Sequence, residues 1–395
     1  MNQTLRVSTD EADNFILLTG ATGLVGQYLM RDLLASGDKV AVLVRPKKRA
    51  SAEDRIERIM QHWETDAGKT LNRPVVLTGD VGTPDFGFDQ TTIAWVKAHC
   101  NRMIHNAAML KFHASTRQEE PWRTNLFGTQ QAIDVADKAD IHEMHYVSTA
   151  YVCGNRNEHI LEGDFDDSFG FRNAYEHSKF EAEKAIRSTN QFEKLTIYRP
   201  VVISGDSQTG YTSTYHGLYV YLRLFSMFVP EQARGADGRI LTPIKVPLDG
   251  NEPRNVVPVD WVSRVFCELF HNREAHGRTF HLAPDEYLTP SAVIEACYDY
   301  FNSHGVEFCG ATVPDDHKQP EYAEKIFDNI AIYQQYESND PHFDTTNLKR
   351  FAKDLPCPPI DSETIHRYLD FGNADEWGKK RRLKVRTPDS KERRA

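Results

Sequence analysis

Cysteine is scarce in this chain of 395 residues: there are six, at positions 100, 153, 267, 297, 309 and 357, and none forms a Cys-x-x-Cys pair. That spacing excludes a disulfide-stapled scaffold and the usual zinc-ligand pairs, and it predicts reduced thiols in a cytoplasmic protein. Long apolar runs are missing too. No stretch reaches the ~18 continuous apolar residues of a membrane helix. Met1 to Asn14 carries three acidic residues and no apolar run or small-residue cleavage site, so the chain reads as soluble and unexported. Positive charge is in deficit, with 47 Lys and Arg against 57 Asp and Glu and a net charge of -10, which argues against general nucleic-acid binding. His and carboxylate residues show no metal-ligand spacing, so no metal is expected, and no solenoid-like repeat stands out.

The chain does have alternation, together with enough apolar residues, 40%, to fill a large core. Phe15-Ile-Leu-Leu-Thr19 breaks into Gly20-Ala-Thr-Gly23-Leu-Val-Gly26 and continues with helical apolar spacing to Leu34, which reads as strand, glycine turn, helix. The pattern recurs through strands at 39–44, 74–78, 102–105, 144–148 and 195–198, separated by helical stretches at 52–63, 92–100, 122–136 and 175–187. Repeated strand and helix units force parallel strands with right-handed crossovers, hence an α/β, Rossmann-type doubly wound parallel sheet. The boundaries expected are a tail at 1–13 and a dinucleotide-binding domain at 14–205. Residues 256–284 return to that domain through the strand Thr279-Phe-His-Leu282. A smaller, mainly helical C-terminal substrate-binding domain takes 206–255 and 285–376. In it the aromatic run Tyr211, Tyr215, Tyr219, Tyr221, Phe225 and Phe228 reads either as a substrate wall or as a buried helix face. The segment 377–395 is read as a disordered basic tail, since from Lys379 it holds nine cations against Asp389 and Glu392. Glu158, Glu162, Asp164, Asp166 and Asp167 read as a solvated acidic loop.

The glycine turn sits where backbone amides at a helix N-terminus reach a pyrophosphate, so Gly20, Thr22, Gly23, Leu24, Val25 and Gly26 are expected cofactor contacts. The second strand ends in Val44-Arg45-Pro46-Lys47-Lys48-Arg49, where an NAD-selective fold offers a carboxylate to the ribose diol. A guanidinium grips a 2′-phosphate and a carboxylate repels it, so Arg45 points to NADPH. Asp80 and Val81 follow the third strand toward the adenine. Asn106, Ala107 and Ala108 follow the fourth, and Pro200 and Val202 follow the sixth.

Tyr-x-x-x-Lys occurs once, at Tyr175 and Lys179, and composition alone yields it about as often, so its weight comes from placement. The pair opens the helix after a strand ending in Ser148-Thr149 and lies one turn apart on one face. A carbonyl receiving hydride develops oxyanion charge, and a phenol of pKa ~10 is a poor donor at neutral pH unless an ammonium favours its ionised form. Lys179 would supply that field and hold the nicotinamide ribose. Thr149 would bond the substrate oxygen, and Asn125 would anchor a water that relays protons to Lys179.

These motifs, with His105-Asn-Ala-Ala108, Asn125-Leu-Phe-Gly-Thr129, Val147-Ser-Thr-Ala-Tyr-Val-Cys-Gly154 and Arg199-Pro200 in the same order, resemble the extended (atypical) short-chain dehydrogenase/reductases over residues 14 to 285. Leu43-Val-Arg45, Gly79-Asp80, Asn173-Ala-Tyr-Glu-His-Ser-Lys179 and Val257-Pro-Val-Asp260 resemble, within them, the thioester reductase and fatty acyl-CoA reductase branch. The resemblance implies NADPH-dependent reduction of a CoA-bound or carrier-bound acyl thioester to an aldehyde or alcohol. It makes Thr149, Tyr175 and Lys179 the active triad and Asn125 its accessory residue. A ketone or aldehyde reductase of a specialised pathway uses the same triad. A nucleotide-sugar epimerase or dehydratase fits Arg45 less well, and a non-catalytic cofactor sensor fits an intact triad less well. A contact between the basic tail and an acyl carrier protein, and a homodimer, are compatible with the sequence.

Overall fold

The computed structural model describes residues 14–310, 319–336 and 340–380. The expected tail at 1–13 lies outside the described residues, as does the basic segment from 381 onward. The strands and helices fall where apolar periodicity puts them. In chain order they are β1 (Phe15–Thr19), α1 (Leu24–Ala35), β2 (Lys39–Val44), α2 (Ala52–Ala67), β3 (Val75–Thr78), α3 (Gln90–His99) and β4 (Cys100–His105). There follow α4 (Gly128–Lys138), β5 (Glu143–Val147), α5 (Ala174–Ser188), β6 (Lys194–Pro200), α6 (Leu218–Phe228), α7 (Val259–His271) and β7 (Thr279–Leu282). The remaining helices are α8 (Pro290–Phe301), α9 (Glu321–Ile330), α10 (Thr346–Phe351) and α11 (Ser362–Ala374). Several ends are set by side chains. Ser51 and Asp54 form a reciprocal capping box on α2, and Asp89, Thr289 and Asp361 cap α3, α8 and α11.

The seven strands form one sheet in the order β7-β6-β5-β4-β1-β2-β3. β1 pairs parallel with β2 and β4, and β2 with β3 and β4 with β5 are parallel too. The chain winds outward from β1 through β3, returns to lay β4 beside β1, and winds the other way, so the strand order reverses between β1 and β4. Doubly wound sheets open a ligand crevice at the carboxyl ends of the strands at that point. The expected return of the chain to the sheet at Thr279 is observed as edge strand β7.

Two compact units divide the chain. One holds the described residues up to Ser148, Ser178–Ile197 and Glu274–Arg278. Its core packs Leu17, Leu43, Met103, Met144 and Ile197 of the strands against Val96, Val135 and Ile186 of α3, α4 and α5. The other holds Thr149–His177, Tyr198–Arg273 and the described residues from Thr279 onward. It is built on α6, α8 and α11 through Leu222, Val293, Ala296, Ile365 and Leu369, with a second cluster where Leu224 and Ile244 meet Ile326 of α9. Thr149–His177 thus groups with the helical C-terminal part, not with the dinucleotide-binding segment expected to hold it.

The aromatic run of α6 belongs to this core. Tyr219 is buried, stacks near Tyr215 and Tyr368, and donates its hydroxyl to the Gly210 carbonyl at 2.5 Å, while Tyr221 and Phe228 pack on the Leu224 cluster. Of that run Tyr219 alone is buried, while Tyr211, Tyr215, Tyr221, Phe225 and Phe228 are partly exposed. The acidic loop needs a correction as well. Glu162 is 4% exposed and accepts the backbone N–H groups of His281 and Asn347 at 3.2 and 2.8 Å, so it is an internal anchor, and burial raises its carboxyl to about 7.

In the first unit, α1 and α2 are locked by Trp63, buried edge-on against Tyr28 at 4.8 Å with the Arg31 guanidinium over both rings. Trp63→Ala should lower unfolding free energy by about 3–5 kcal/mol, read as a shifted urea midpoint.

Candidate active site

The first unit supplies a cofactor crevice. Gly20 closes β1 at φ +74°, and a Cβ there would lie 2.7 Å from the Ala107 nitrogen on the neighbouring β4 turn. A Cβ on Gly26 would overlap the Gly20 carbonyl, so α1 rests directly on the loop backbone. The Gly23 N–H closes the turn onto Gly20 O at 3.0 Å, and Gly23 is the N-cap of α1 with no side-chain cap and no acidic residue in the first turn. Unlike α2, α3, α8 and α11, this helix start keeps its amides for an outside acceptor, which is the chemistry of a pyrophosphate site. Gly23 is exposed and Thr22, Leu24 and Val25 are partly so, while Gly26 is buried.

Thr19 ties the crevice together. Its hydroxyl lies 2.9 Å from His105 Nδ1 and accepts the N–H groups of Asn106 and Ala107, both at 3.1 Å. His105 also meets Thr129 Oγ1 at 3.1 Å, and burial, then the nearby Lys179, holds its ring down to about 3, hence neutral. Asn106 and Ala107 are partly exposed and Ala108 is exposed.

Arg45 ends β2 half-exposed and pairs with Asp80 at 3.3 Å, while Arg123 reaches the same carboxylate at 3.7 Å. A residue that the sequence reading missed completes the corner: Arg55 of α2 donates to Thr22 Oγ1 at 2.9 Å and to the Arg45 carbonyl. Arg55 looked like one more charge on an amphipathic helix, and only the fold turns it onto the glycine loop. Burial, then Arg45 and Arg58, lower its pKa, and Lys47 is lowered by burial and by Arg55, Arg45 and Arg58. Arg45, Arg55, Arg58 and Lys47 thus lie close enough for their charges to act on one another. The Val81 side chain is buried in the sheet core against Gly128, and Val202 packs on the α6, α8 and α11 cluster of the second unit.

Lys179 of α5 is 1% exposed and donates to the Val147 carbonyl at 2.7 Å and the Tyr146 hydroxyl at 3.1 Å. Burial lowers it to about 7, against a smaller upward pull from Glu183. Asn125 lies in a π-type turn, Arg123–Phe127, ahead of α4. Its amide donates to Ser178 Oγ at 2.9 Å and Met109 O at 3.2 Å and accepts the Met109 N–H at 2.8 Å. The amide thus links the Met109 backbone to Ser178 of α5.

In the second unit Thr149 is buried, donates to the Pro200 carbonyl at 3.4 Å, and accepts the Tyr151 N–H at 3.3 Å. Tyr175, at the start of α5, is partly exposed and hydrogen-bonds Thr149. Burial raises its hydroxyl to about 12, with the Thr149 bond pulling down and Glu176 pushing up. Burial disfavours the phenolate of Tyr175 and the ammonium of Lys179 alike.

A crevice at the strand-order reversal, with a bare helix start and crowded cations, places the chain among the Rossmann-type proteins that bind a nicotinamide dinucleotide. Residues 18–266 match the NAD-binding family described as Male sterility protein, and the chain belongs to that family. The nonribosomal peptide synthetase asaC of Aspergillus flavus is 26% identical over 281 residues, which cover 68% of this chain and 26% of that protein. Aldehyde reductase lnaA of the same fungus is 24% identical over 396 residues, 91% of this chain and 36% of that protein. The chain therefore spans well under half the length of either relative. Among solved structures, the terminal R domain from the myxalamid PKS-NRPS biosynthetic pathway aligns with a TM-score of 0.73 at 22% identity, over 94% of this chain and 93% of that one. A thiolation-reductase di-domain from an archaeal non-ribosomal peptide synthetase aligns at 0.68 and 18% identity, over 92% and 76%. The chain thus carries the NAD-binding domain of that family and shares its fold with solved reductase domains of peptide synthetases. Among the described residues no helix is long and apolar enough to cross a membrane.

The lowered pKa of Lys179 has a consequence for stability. Between about 7 and its ordinary value of 10.5 the unfolded chain holds a proton that the folded chain has released, so this group makes stability rise with pH there. Lys179→Met removes that slope. Its stability relative to wild type should fall by up to about 1.4 kcal/mol per pH unit above 7, read from urea midpoints between pH 6 and 9.

Proposed function

We propose that the chain reduces acyl thioesters with NADPH, releasing a thiol and an aldehyde. The observation that carries this reading is the hydrogen bond between Thr149 and a partly exposed Tyr175, with Lys179 one turn further along the same helix. The choice of NADPH rests on Arg45, Lys47, Arg55 and Arg58, which crowd beside the glycine loop and offer two guanidinium groups to a 2′-phosphate. The choice of thioester rests on kinship with reductase domains of peptide synthetases, and CoA or a carrier protein would present the acyl group.

Bound NADPH supplies the hydride. The chain's own task is to take up the charge that gathers on the carbonyl oxygen. The Thr149 and Tyr175 hydroxyls donate to that oxygen, and Tyr175 yields its proton. With the phenol near 12, that transfer needs a cation, and Lys179 at about 7 is charged in about half of molecules at neutrality. Anionic groups of the dinucleotide, were they held near Lys179, would favour its ammonium form. The hemithioacetal then collapses: its C–S bond breaks and the thiol leaves with a proton. One thioester, one NADPH and one proton become aldehyde, thiol and NADP⁺. The uncapped start of α1 would hold the pyrophosphate, and Asn125 would hold the backbone wall at Met109.

Purified protein given NADPH and a panel of acyl-CoA and acyl-pantetheine thioesters should oxidise the cofactor and release free thiol. Turnover confined to ketones or free aldehydes would instead support the second reading, a carbonyl reductase, which the name of lnaA favours. Tyr175→Phe should cut kcat by about 10²–10⁴-fold while leaving NADPH affinity within a few-fold. Joint replacement of Arg45 and Arg55 by Ala should weaken NADPH at least tenfold and NADH little, measured by fluorescence titration.

A further inference from the structure

We infer that Glu143, His145 and His276 form a divalent-metal site, suited above all to zinc, at the end of β5 remote from the cofactor crevice. All three residues belong to the first unit, and nothing in the reductase reading uses them. One carboxylate oxygen of Glu143 lies 3.2 Å from His145 Nε2 and 3.5 Å from His276 Nδ1, and the three donor atoms fall within 4.8 Å of one another. Tetrahedral zinc with bonds of ~2.0–2.1 Å separates neighbouring donors by about 3.3 Å, so two of the three spacings already match. The third closes by a modest swing of one imidazole. The two rings meet nearly edge to face, at 83° and 4.8 Å.

The fold builds this cluster from two places. Glu143 and His145 are two apart on β5 and so share one face of the sheet. His276 comes from the turn Glu274–Arg278, which is fastened to β6 by Ile197 N–H donating to Arg278 O at 2.9 Å and Gly277 N–H donating to Thr196 Oγ1 at 3.0 Å. The side chains are 0%, 2% and 16% exposed for His145, His276 and Glu143. An ion therefore enters past the carboxylate and keeps its fourth position for water. Two imidazoles and a carboxylate suit zinc better than calcium or magnesium, which take oxygen ligands.

Arg102 is the competitor. It sits on β4 in register with Glu143 and its charge acts on the same carboxylate, so in the absence of metal it shares the counter-ion role. The sequence reading missed the set because Glu143-Met-His145 looks like an ordinary strand start and His276 stands more than a hundred residues away. The ion sits where β5 begins, at Glu143, about 13 Å of strand from its last residue, Val147. Its effect is to pin the 274–278 turn to β5.

The test uses the full chain, stripped with a chelator and dialysed against zinc. One equivalent retained, with a melting temperature raised by several degrees, is expected. His276→Gln and Glu143→Gln should each lose both effects while keeping the wild-type far-ultraviolet circular dichroism. Cobalt(II) on the wild type should give the intense visible bands of a tetrahedral site. Zinc uptake no greater in wild type than in the two variants, or only the pale spectrum of six-coordinate cobalt, overturns the proposal.

Discussion

Everything at the cofactor crevice depends on a contact between two pieces of backbone that side chains would forbid. Gly20 lets β1 come against the Asn106–Ala107 turn after β4, and Gly26 lets α1 sit on the Gly20 carbonyl. Because the approach is backbone to backbone, the start of α1 lies at the point where the strand order reverses. Its amides are uncapped and the Thr19 hydroxyl organises the turn beside it. Widening this contact by one methyl group would move the helix start, the His105 ring and the Ala107 turn together. Binding geometry here is therefore a property of packing before it is a property of any contact residue.

The parts of this arrangement that lie close together in sequence are legible in the sequence. The Phe15–Thr19 run, the glycine spacing and the amphipathic helix after it are local signals, and so is Tyr175 four residues before Lys179. Features made by chain segments meeting from afar are not. Arg55 reaches Thr22 across 33 positions and Glu162 anchors Asn347 across 185, and each looks like a surface charge until the fold brings its partner in. The tyrosines of α6 carried a real ambiguity, since an aromatic helix face packs equally well on a ligand or on α8 and α11. Burial of Tyr219 among Tyr215 and Tyr368 assigns that one ring to the core, while the other five keep partial exposure.

Electrostatics explains why the phenol is not acidic in the ligand-free chain. Tyr175 and Lys179 are both taken partly out of water, and burial disfavours the charged form of each: it raises the first and lowers the second. The resting pair is thus nearer neutral than motif logic supposes. Asn125 contributes through the backbone, holding Met109 from both its N–H and its carbonyl.

The crowding of Arg45, Lys47, Arg55 and Arg58 reaches beyond recognition. Burial and the neighbouring charges of Arg55, Arg45 and Arg58 lower the pKa of Lys47 at the β2 to α2 connection, while Arg45 itself pairs with Asp80. Ordinary salt screens such repulsion at a Debye length of ~8–10 Å, which makes ionic strength a partial surrogate for the ligand. In a dilute buffer, where screening is weakest, the mutual repulsion of these cations at the β2 to α2 connection is at its strongest.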